Sequence, residues 1–162
     1  MRPHLDVTGG PHLAIRTCAR ALILQEQHVL AVGYRDATGL LFALPGGGQE
    51  WGEPLADTLV RECHEELGVA VEVGILAFVA EWINPDIPVH QIECIFHCVP
   101  RAPIAPAGGP HLDPGAVGLQ WLPLEGMAGP NAIRLYPLAM RPLLSRFAAG
   151  APGAPRYLGA AR

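Results

Sequence analysis

The stretch from Gly46 to Val69 constrains this 162-residue chain more than any other. It reads as a glycine loop (Gly46-Gly47-Gly48-Gln49-Glu50-Trp51-Gly52) leading into one short helix rich in carboxylates. Pro54 fits the first helical position, where a missing N–H costs nothing. Gly68 fits the left-handed residue that closes a helix. At about 100° per residue, Leu55, Ala56, Leu59, Val60, Cys63 and Leu67 fill an arc of roughly 140°, the width of a buried face. Glu62, Glu65 and Glu66 occupy an adjoining arc of roughly 100°, with Glu66 at the apolar edge.

Carboxylates at i, i+3 and i+4 repel one another by a few tenths of a kcal/mol per solvated pair. Partial shielding beside an apolar stripe makes the repulsion worse. A solvated surface helix relieves it with interleaved Lys, yet only Arg61 and His64 are interposed here. Two readings follow from spacing alone. One is an acidic, solvated face; the other is a site for a hard divalent cation such as Mg²⁺ or Mn²⁺, which all-oxygen ligands suit.

The order of the residues adds to this. Gly47, five residues, Glu53, seven residues, then Arg61-Glu62-Cys63-His64-Glu65-Glu66-Leu67-Gly68-Val69 resembles the Nudix box position for position. The one departure is Cys63, where the family usually has a larger aliphatic residue; it alters packing and leaves the chemistry alone. Outside the box, Ala19 to Ile23, His90-Gln91, Gly118 to Trp121 and Arg134 to Pro137 are similar to small bacterial Nudix hydrolases of unassigned substrate.

Length and composition fit one globular domain of about 14–148, with a loose segment at 1–13 and an Ala/Gly/Pro-rich tail at 149–162. All eleven cationic residues are Arg, which excludes Schiff-base lysine chemistry and a phosphate-loop lysine. The formal net charge of −4 argues against a surface that coats nucleic acid. No apolar run reaches a membrane span, and Met1 to Asp6 lacks a signal peptide's apolar core, so a cytoplasmic location is expected. Cys18, Cys63, Cys94 and Cys98 show no CxxC pair and read as reduced core thiols. His90, Cys94, His97 and Cys98 look like a zinc cluster, but on a strand residues four apart are distant.

Taken in order, residues 14–24, 28–34, 41–44, 70–83, 89–99 and 117–122 read as strands. A turn is expected at 25–27, an interruption at Gly74, and a further turn at 84–88. Residues 100–118 read as a Pro/Gly-rich loop with freedom to move. Residues 132–148 read as a second helix, entered or broken near Pro137. These elements alone reach the α+β class. The resemblance implies more: an α/β/α sandwich with a mixed sheet flanked by helices.

The resemblance also implies metal-dependent hydrolysis of a pyrophosphate linkage. Glu62, Glu65, Glu66 and the Gly46 carbonyl would be the metal donors for Mg²⁺ or Mn²⁺. Glu53 would assist them, and Arg61 would hold the carboxylates in place. Glu62, then Glu66, are the candidates for general base, with Glu50, Glu81, Glu93 and Asp113 as further possibilities. Away from the phosphates, Tyr34, Phe42, Trp51 and Trp82 are the aromatics suited to a base or sugar, and Arg16, Arg20 and Arg35 could meet phosphates. Arg35, Trp51 and Trp82 form the expected substrate-binding set. The expected partner is a small-molecule nucleotide, without nucleic-acid polymer or membrane, and a homodimer is admitted. ADP-ribose enzymes of the family often carry a proline sixteen positions beyond the box, where Pro85 stands. ADP-ribose or another nucleoside diphosphate sugar is therefore the expected substrate; nucleoside triphosphate hydrolysis and a non-catalytic nucleotide sensor are the alternatives.

Overall fold

The computed structural model describes residues 15–84, 89–129, 131–151 and 153–161. Pro85 and the expected turn at 84–88 therefore fall largely outside the described residues, as does the segment 1–13. The elements run β1 (Ile15–Leu22), β2 (Leu24–Gln25), β3 (His28–Asp36), β4 (Gly39–Ala43), β5 (Gly46–Gly48), α1 (Leu55–Leu67), β6 (Val71–Asn84), β7 (Val89–Pro100), β8 (Gly118–Pro123), β9 (Leu135–Tyr136), α2 (Leu144–Ala148) and β10 (Arg156–Ala161).

One sheet has the order β10-β6-β7-β1-β5; the other runs β2-β3-β4-β9, with β8 also pairing β3. Both are mixed: β1 with β7, β6 with β10 and β4 with β9 are parallel, and the remaining pairs are antiparallel. Alternation along the strands divides the apolar residues into two cores. Ala19, Ala21, Ile23 and Leu30 pack with Leu59, Cys63 and Leu67 of α1. Leu22, Val29, Ala31, Phe42 and Ile95 pack with Met140, Leu144 and Phe147 on the other side. This is the α+β sandwich with helical segments on both faces. Each fully buried Leu in α1 contributes about 1.5–3 kcal/mol relative to exposure.

Several local expectations shift. Pro54 lies one residue before the helix, with extended backbone, and Gly68 closes it in the left-handed region at φ 71°. The buried side of α1 is Thr58, Leu59, Cys63, Glu66 and Leu67, while Ala56 and Val60 are exposed. The helix is thus turned so that its acidic edge faces the glycine strand. The helix expected over 132–148 is largely absent: Leu135–Tyr136 is a strand, Leu138–Leu143 a 3-10 turn containing Pro142, and only Leu144–Ala148 is α-helical. Proline lacks an N–H and crowds the preceding turn, which stops α-helix from propagating there. Residues 156–161, read as part of a tail, add a parallel strand to the edge of β6.

The Pro/Gly-rich loop is anchored on α1. Gly109 N–H donates to the Glu66 carbonyl (2.6 Å) and His111 N–H to the Glu65 carbonyl (3.0 Å). These are C-terminal helix carbonyls that have no partner within the helix. A Cβ at Gly109 would lie 2.3 Å from the Glu65 carbonyl oxygen and 2.5 Å from the Gly68 nitrogen. Gly109→Ala should therefore lift the loop from the helix end and cost about 1–3 kcal/mol. At about 2–4 °C per kcal/mol for a chain of this size, calorimetry would show a clear fall in Tm; an unchanged Tm would count against the anchoring role.

Candidate functional site

The site begins where β5 is held between β1 and α1. Cys18, Ala19 and Arg20 pair with Gly48, Gly47 and Gly46, so the glycine loop is itself a short strand. Its neighbours leave no room for side chains there: a Cβ at Gly46 would lie 2.2 Å from the Ala19 carbonyl oxygen of β1, one at Gly48 2.3 Å from an Arg16 nitrogen, and Gly47 faces the helix. A Cβ at Gly47 would lie 2.5 Å from the Glu62 carboxylate carbon.

Arg61 ties the acidic residues together. Its Nε and Nη2 donate to the two oxygens of Glu53, both at 3.0 Å, and Nη1 donates to Glu62 Oε1 at 2.6 Å. Nη2 also donates to the Gly48 carbonyl at 3.1 Å, and Glu65 Oε1 lies 3.9 Å from Nη1. Glu53 further accepts from Thr58 Oγ1 (2.8 Å) and the Glu50 N–H (3.2 Å). The Arg61 fork, chiefly, holds the Glu53 carboxyl down to about 2. Glu53 is thereby a fixed anion on which Arg61 is oriented, and Arg61 in turn positions Glu62.

Glu66 is only 2% exposed and accepts the Gly46 N–H at 2.8 Å. Burial pushes its carboxyl up to about 7; the Gly46 N–H opposes the rise, Asp113 adds to it and Arg20 offsets it. The Gly46 carbonyl accepts from Arg20 Nη1, so donation to a metal would use its second lone pair beside a guanidinium. Arg20 also pairs with Glu93 at 3.1 Å.

Among the described residues, no three of His, Cys, Asp and Glu stand together as a metal cage. Mg²⁺ does not require one, since it keeps several waters and binds one or two carboxylates together with substrate phosphates. Glu62, Glu65 and Glu66 are carboxylates on one helix edge against β5, and this donor chemistry fits a hard divalent ion. His90, Cys94, His97 and Cys98 are dispersed: His90 pairs with Glu81 (2.7 Å), His97 packs on the Phe147 ring, and Cys98 is buried in the α1 core.

Between the two sheets opens a cavity of about 530 Å³, and none of its lining residues belongs to α1. Its lining includes Arg20, Tyr34, Asp36, Glu81, Trp82, Glu93, Asp113, Arg134 and Tyr136. Arg20 and Asp113 connect it to the carboxylate edge through Gly46 and Glu66. Tyr34 donates to Asp113 at 3.1 Å, and burial together with that carboxylate raises the phenol further. Of the expected substrate residues, Trp82 lines the cavity. Trp51, fully exposed, and Arg35, on the outer part of β3, do not. Phe42 is core, and Arg16 lies against Gly48. Sequence reading missed Asp36 and Arg134, which pair at 2.8 Å in the cavity wall. Nothing local signals this contact, because it joins residues 98 positions apart.

A mixed-sheet sandwich that sets a carboxylate-edged helix against a glycine strand defines a Nudix arrangement. The NUDIX domain model matches residues 14–147, and the chain belongs to that family. It is 33% identical over 88 residues to an RNA pyrophosphohydrolase of Rhizobium meliloti (strain 1021), covering 49% of this chain and 52% of that protein. To the RNA pyrophosphohydrolase of Mesorhizobium japonicum it is 34% identical over 92 residues, covering 52% and 53%. The chain thus spans about half the length of these relatives. Among solved structures, a NUDIX hydrolase from Nitrosomonas europaea superposes with a TM-score of 0.65 at 23% identity, over 86% of this chain and 92% of that one. An ADP-ribose pyrophosphatase from Streptococcus suis gives 0.58 at 22%, over 89% and 99%. Both show the fold.

Arg61→Lys keeps the charge but loses the fork. It should leave the protein folded, lower stability by roughly 1 kcal/mol, and weaken Mn²⁺ binding about 10–100-fold. Titration calorimetry and thermal melting check this; full Mn²⁺ affinity in the variant would remove Arg61 from the positioning role.

Proposed function

We propose that the protein hydrolyses the pyrophosphate linkage of a nucleoside diphosphate derivative, ADP-ribose or a nucleoside diphosphate sugar. Glu62, Glu65 and Glu66 would hold Mg²⁺ or Mn²⁺, with Glu53 and Arg61 fixing their geometry. The observation that carries the reading is the cavity joined to the carboxylate edge, in which carboxylates outnumber arginines. Asp36, Glu93 and Asp113 line it with two arginines, of which Arg20 is already paired with Glu93 and Arg134 with Asp36. Such a lining accepts hydrogen bonds from hydroxyls and repels extra phosphates. It suits a sugar better than a third phosphate.

When bound, the divalent ion supplies charge neutralisation at the phosphates and acidifies a water. The chain's own residues orient the parts. Glu62 is the proposed proton acceptor: Arg61 holds its Oε1, while Oε2 takes no hydrogen bond among the described residues. Glu66, nearly closed off from solvent, is less open to a water. Tyr34, Trp82 and Tyr136 give the cavity flat apolar surface for a base.

The relatives' substrate, RNA, is the competing reading, and it rests on their names. The acidic lining disfavours a polyanionic strand. A panel of ADP-ribose, nucleoside diphosphate sugars, nucleoside triphosphates and an RNA with a 5′ triphosphate, read by chromatography with and without Mg²⁺, decides between them. The expected products are a nucleoside monophosphate and a sugar phosphate, formed only with metal present. Preferred release of pyrophosphate from a triphosphate, or preference for RNA, would overturn the substrate choice.

Glu65→Gln and Glu66→Gln should each remove most activity and weaken Mg²⁺ binding. Their stability should hold or rise by a few tenths of a kcal/mol as repulsion is relieved. Glu62→Gln should lower kcat by about 10²–10⁴, the range for a lost general base. Near-normal turnover of Glu65→Gln and Glu66→Gln at limiting Mg²⁺ would refute the ligand assignment, and near-normal kcat of Glu62→Gln would refute its role as base.

A further inference from the structure

The strand register lays out one face of the first sheet rung by rung. Gly46 on β5 pairs with Arg20 on β1, Arg20 with Ile95 on β7, and Ile95 with Phe78 on β6. Two residues along β7, Glu93 pairs with Cys18 and Ala80; two further, Gln91 pairs with Arg16 and Trp82. Alternate residues of a strand share a face, so Arg20, Glu93, Gln91 and Trp82 point to one side. All four line the cavity between the sheets. The Glu81 carboxylate lies on the opposite face, where His90 and Tyr157 hold it.

Trp82 and Gln91 are direct cross-strand partners, which sets their Cβ atoms about 4.5–5.5 Å apart. Trp82 is 37% exposed, so part of its ring surface is uncovered. The Gln91 side chain takes no hydrogen bond among the described residues, although an amide carries both donors and an acceptor. Arg16, its partner on β1, reaches away over Gly48 and leaves the amide open. Glu93, by contrast, is engaged by Arg20, which also reaches the Gly46 carbonyl.

From Gly46 the order along this face is Arg20, Glu93, then Gln91 with Trp82. Gln91 stands four residues from the Gly46 rung, about 13 Å along the strand. Phosphate, ribose and base follow one another in the same order in a nucleotide whose pyrophosphate meets the carboxylate edge.

We propose that Trp82 and Gln91 form an adenine subsite, with the ring stacking on the base and the amide reading its edge. A glutamine amide pairs bidentately with adenine, donating to N7 and accepting from the N6 amino group. Guanine presents two acceptors, N7 and O6, along that edge, so the Gln91 amide oxygen would face O6 with no proton between them. Stacking is tolerant of base identity, and selection therefore falls to Gln91. The subsite presupposes the nucleotide reading above and names the base, which separates ADP-ribose from other nucleoside diphosphate sugars.

The test measures binding, by calorimetry, of AMP, GMP and 7-deaza-AMP, none of which contains a pyrophosphate linkage to cleave. The unaltered protein should bind AMP at least about tenfold more tightly than GMP, as a bidentate amide contact requires. 7-Deaza-AMP lacks the N7 acceptor and should bind about fivefold more weakly than AMP, the effect of one lost hydrogen bond. In Gln91→Leu the AMP-to-GMP ratio should fall to about one, with Tm held because this amide bonds to nothing in the fold. Trp82→Ala should weaken AMP and GMP alike, by about tenfold, and leave their ratio in place. Equal binding of AMP and GMP to the unaltered protein, or a ratio untouched by Gln91→Leu, overturns the subsite while the hydrolysis panel still stands. Full affinity for 7-deaza-AMP overturns it as well. So does failure of AMP to bind at millimolar concentration, and activity on the panel would then show that the pyrophosphatase reading survives alone.

Discussion

The bidentate grip of Arg61 on Glu53 is the contact on which the acidic edge of α1 depends. Glu62, Glu65 and Glu66 would otherwise repel one another beside an apolar face, where water screens them poorly. Arg61 binds Glu53 with two donors and turns a third to Glu62. A lysine could not do this, because it lacks the planar fork. The arrangement leaves Glu65 and Glu66 outside the clamp. Glu66 is the most costly of the three to ionise, since it is buried and has one N–H partner.

The acidic edge accounts for Gly47, while Gly46 and Gly48 are restricted by Ala19 and Arg16 of β1. A helix edge loaded with carboxylates can lie against a strand only if that strand has no side chains in the way. Glu62 occupies the space a Cβ at Gly47 would fill. Gly46 N–H is free to meet Glu66 because β5 pairs with β1 on one edge only. Helix, strand and loop therefore form a single unit. Gly109 and His111 close it from the far end by satisfying the last helix carbonyls.

Most of this unit was legible in the sequence because it is local: spacing on α1, the glycine run, and Gly68 as terminator. The α+β class follows from the local elements alone, and the sandwich from the resemblance carried by the box. What could not be read is contact made across the chain. The tail's Arg156–Ala161 segment is poor in strand formers, yet it pairs because β6 offers an open edge. The apolar spacing of 132–148 suggests a helix, and Pro142 confines it to a 3-10 turn and a short α2. On α1, Val60 belongs to the apolar arc by spacing and is exposed nonetheless, because the helix turns its acidic edge inward. Trp82 was legible as a cavity residue in kind but not in place. Trp51 and Arg35 look equally suitable in sequence and lie elsewhere, since neither side chain's direction is encoded locally.

Charge accounting across the cavity shows why a cation from outside the chain suits this site. Pyrophosphate oxygens repel an attacking nucleophile unless their charge is met. The chain has no Lys to do so. Arg20 already serves Glu93 and the Gly46 carbonyl, Arg134 serves Asp36, and Arg61 serves Glu53 and Glu62. Freeing any of them would expose a carboxylate next to the phosphates, so nothing is gained in net charge. A divalent ion, if held as proposed by Glu62, Glu65 and Glu66, would relieve two repulsions together, that among the glutamates and that between phosphates and the acidic lining. The arginines would thereby be left to hold geometry, and the cavity carboxylates to meet the hydroxyls of the proposed substrate. The acidic lining and the proposed metal dependence are two consequences of one distribution of charge.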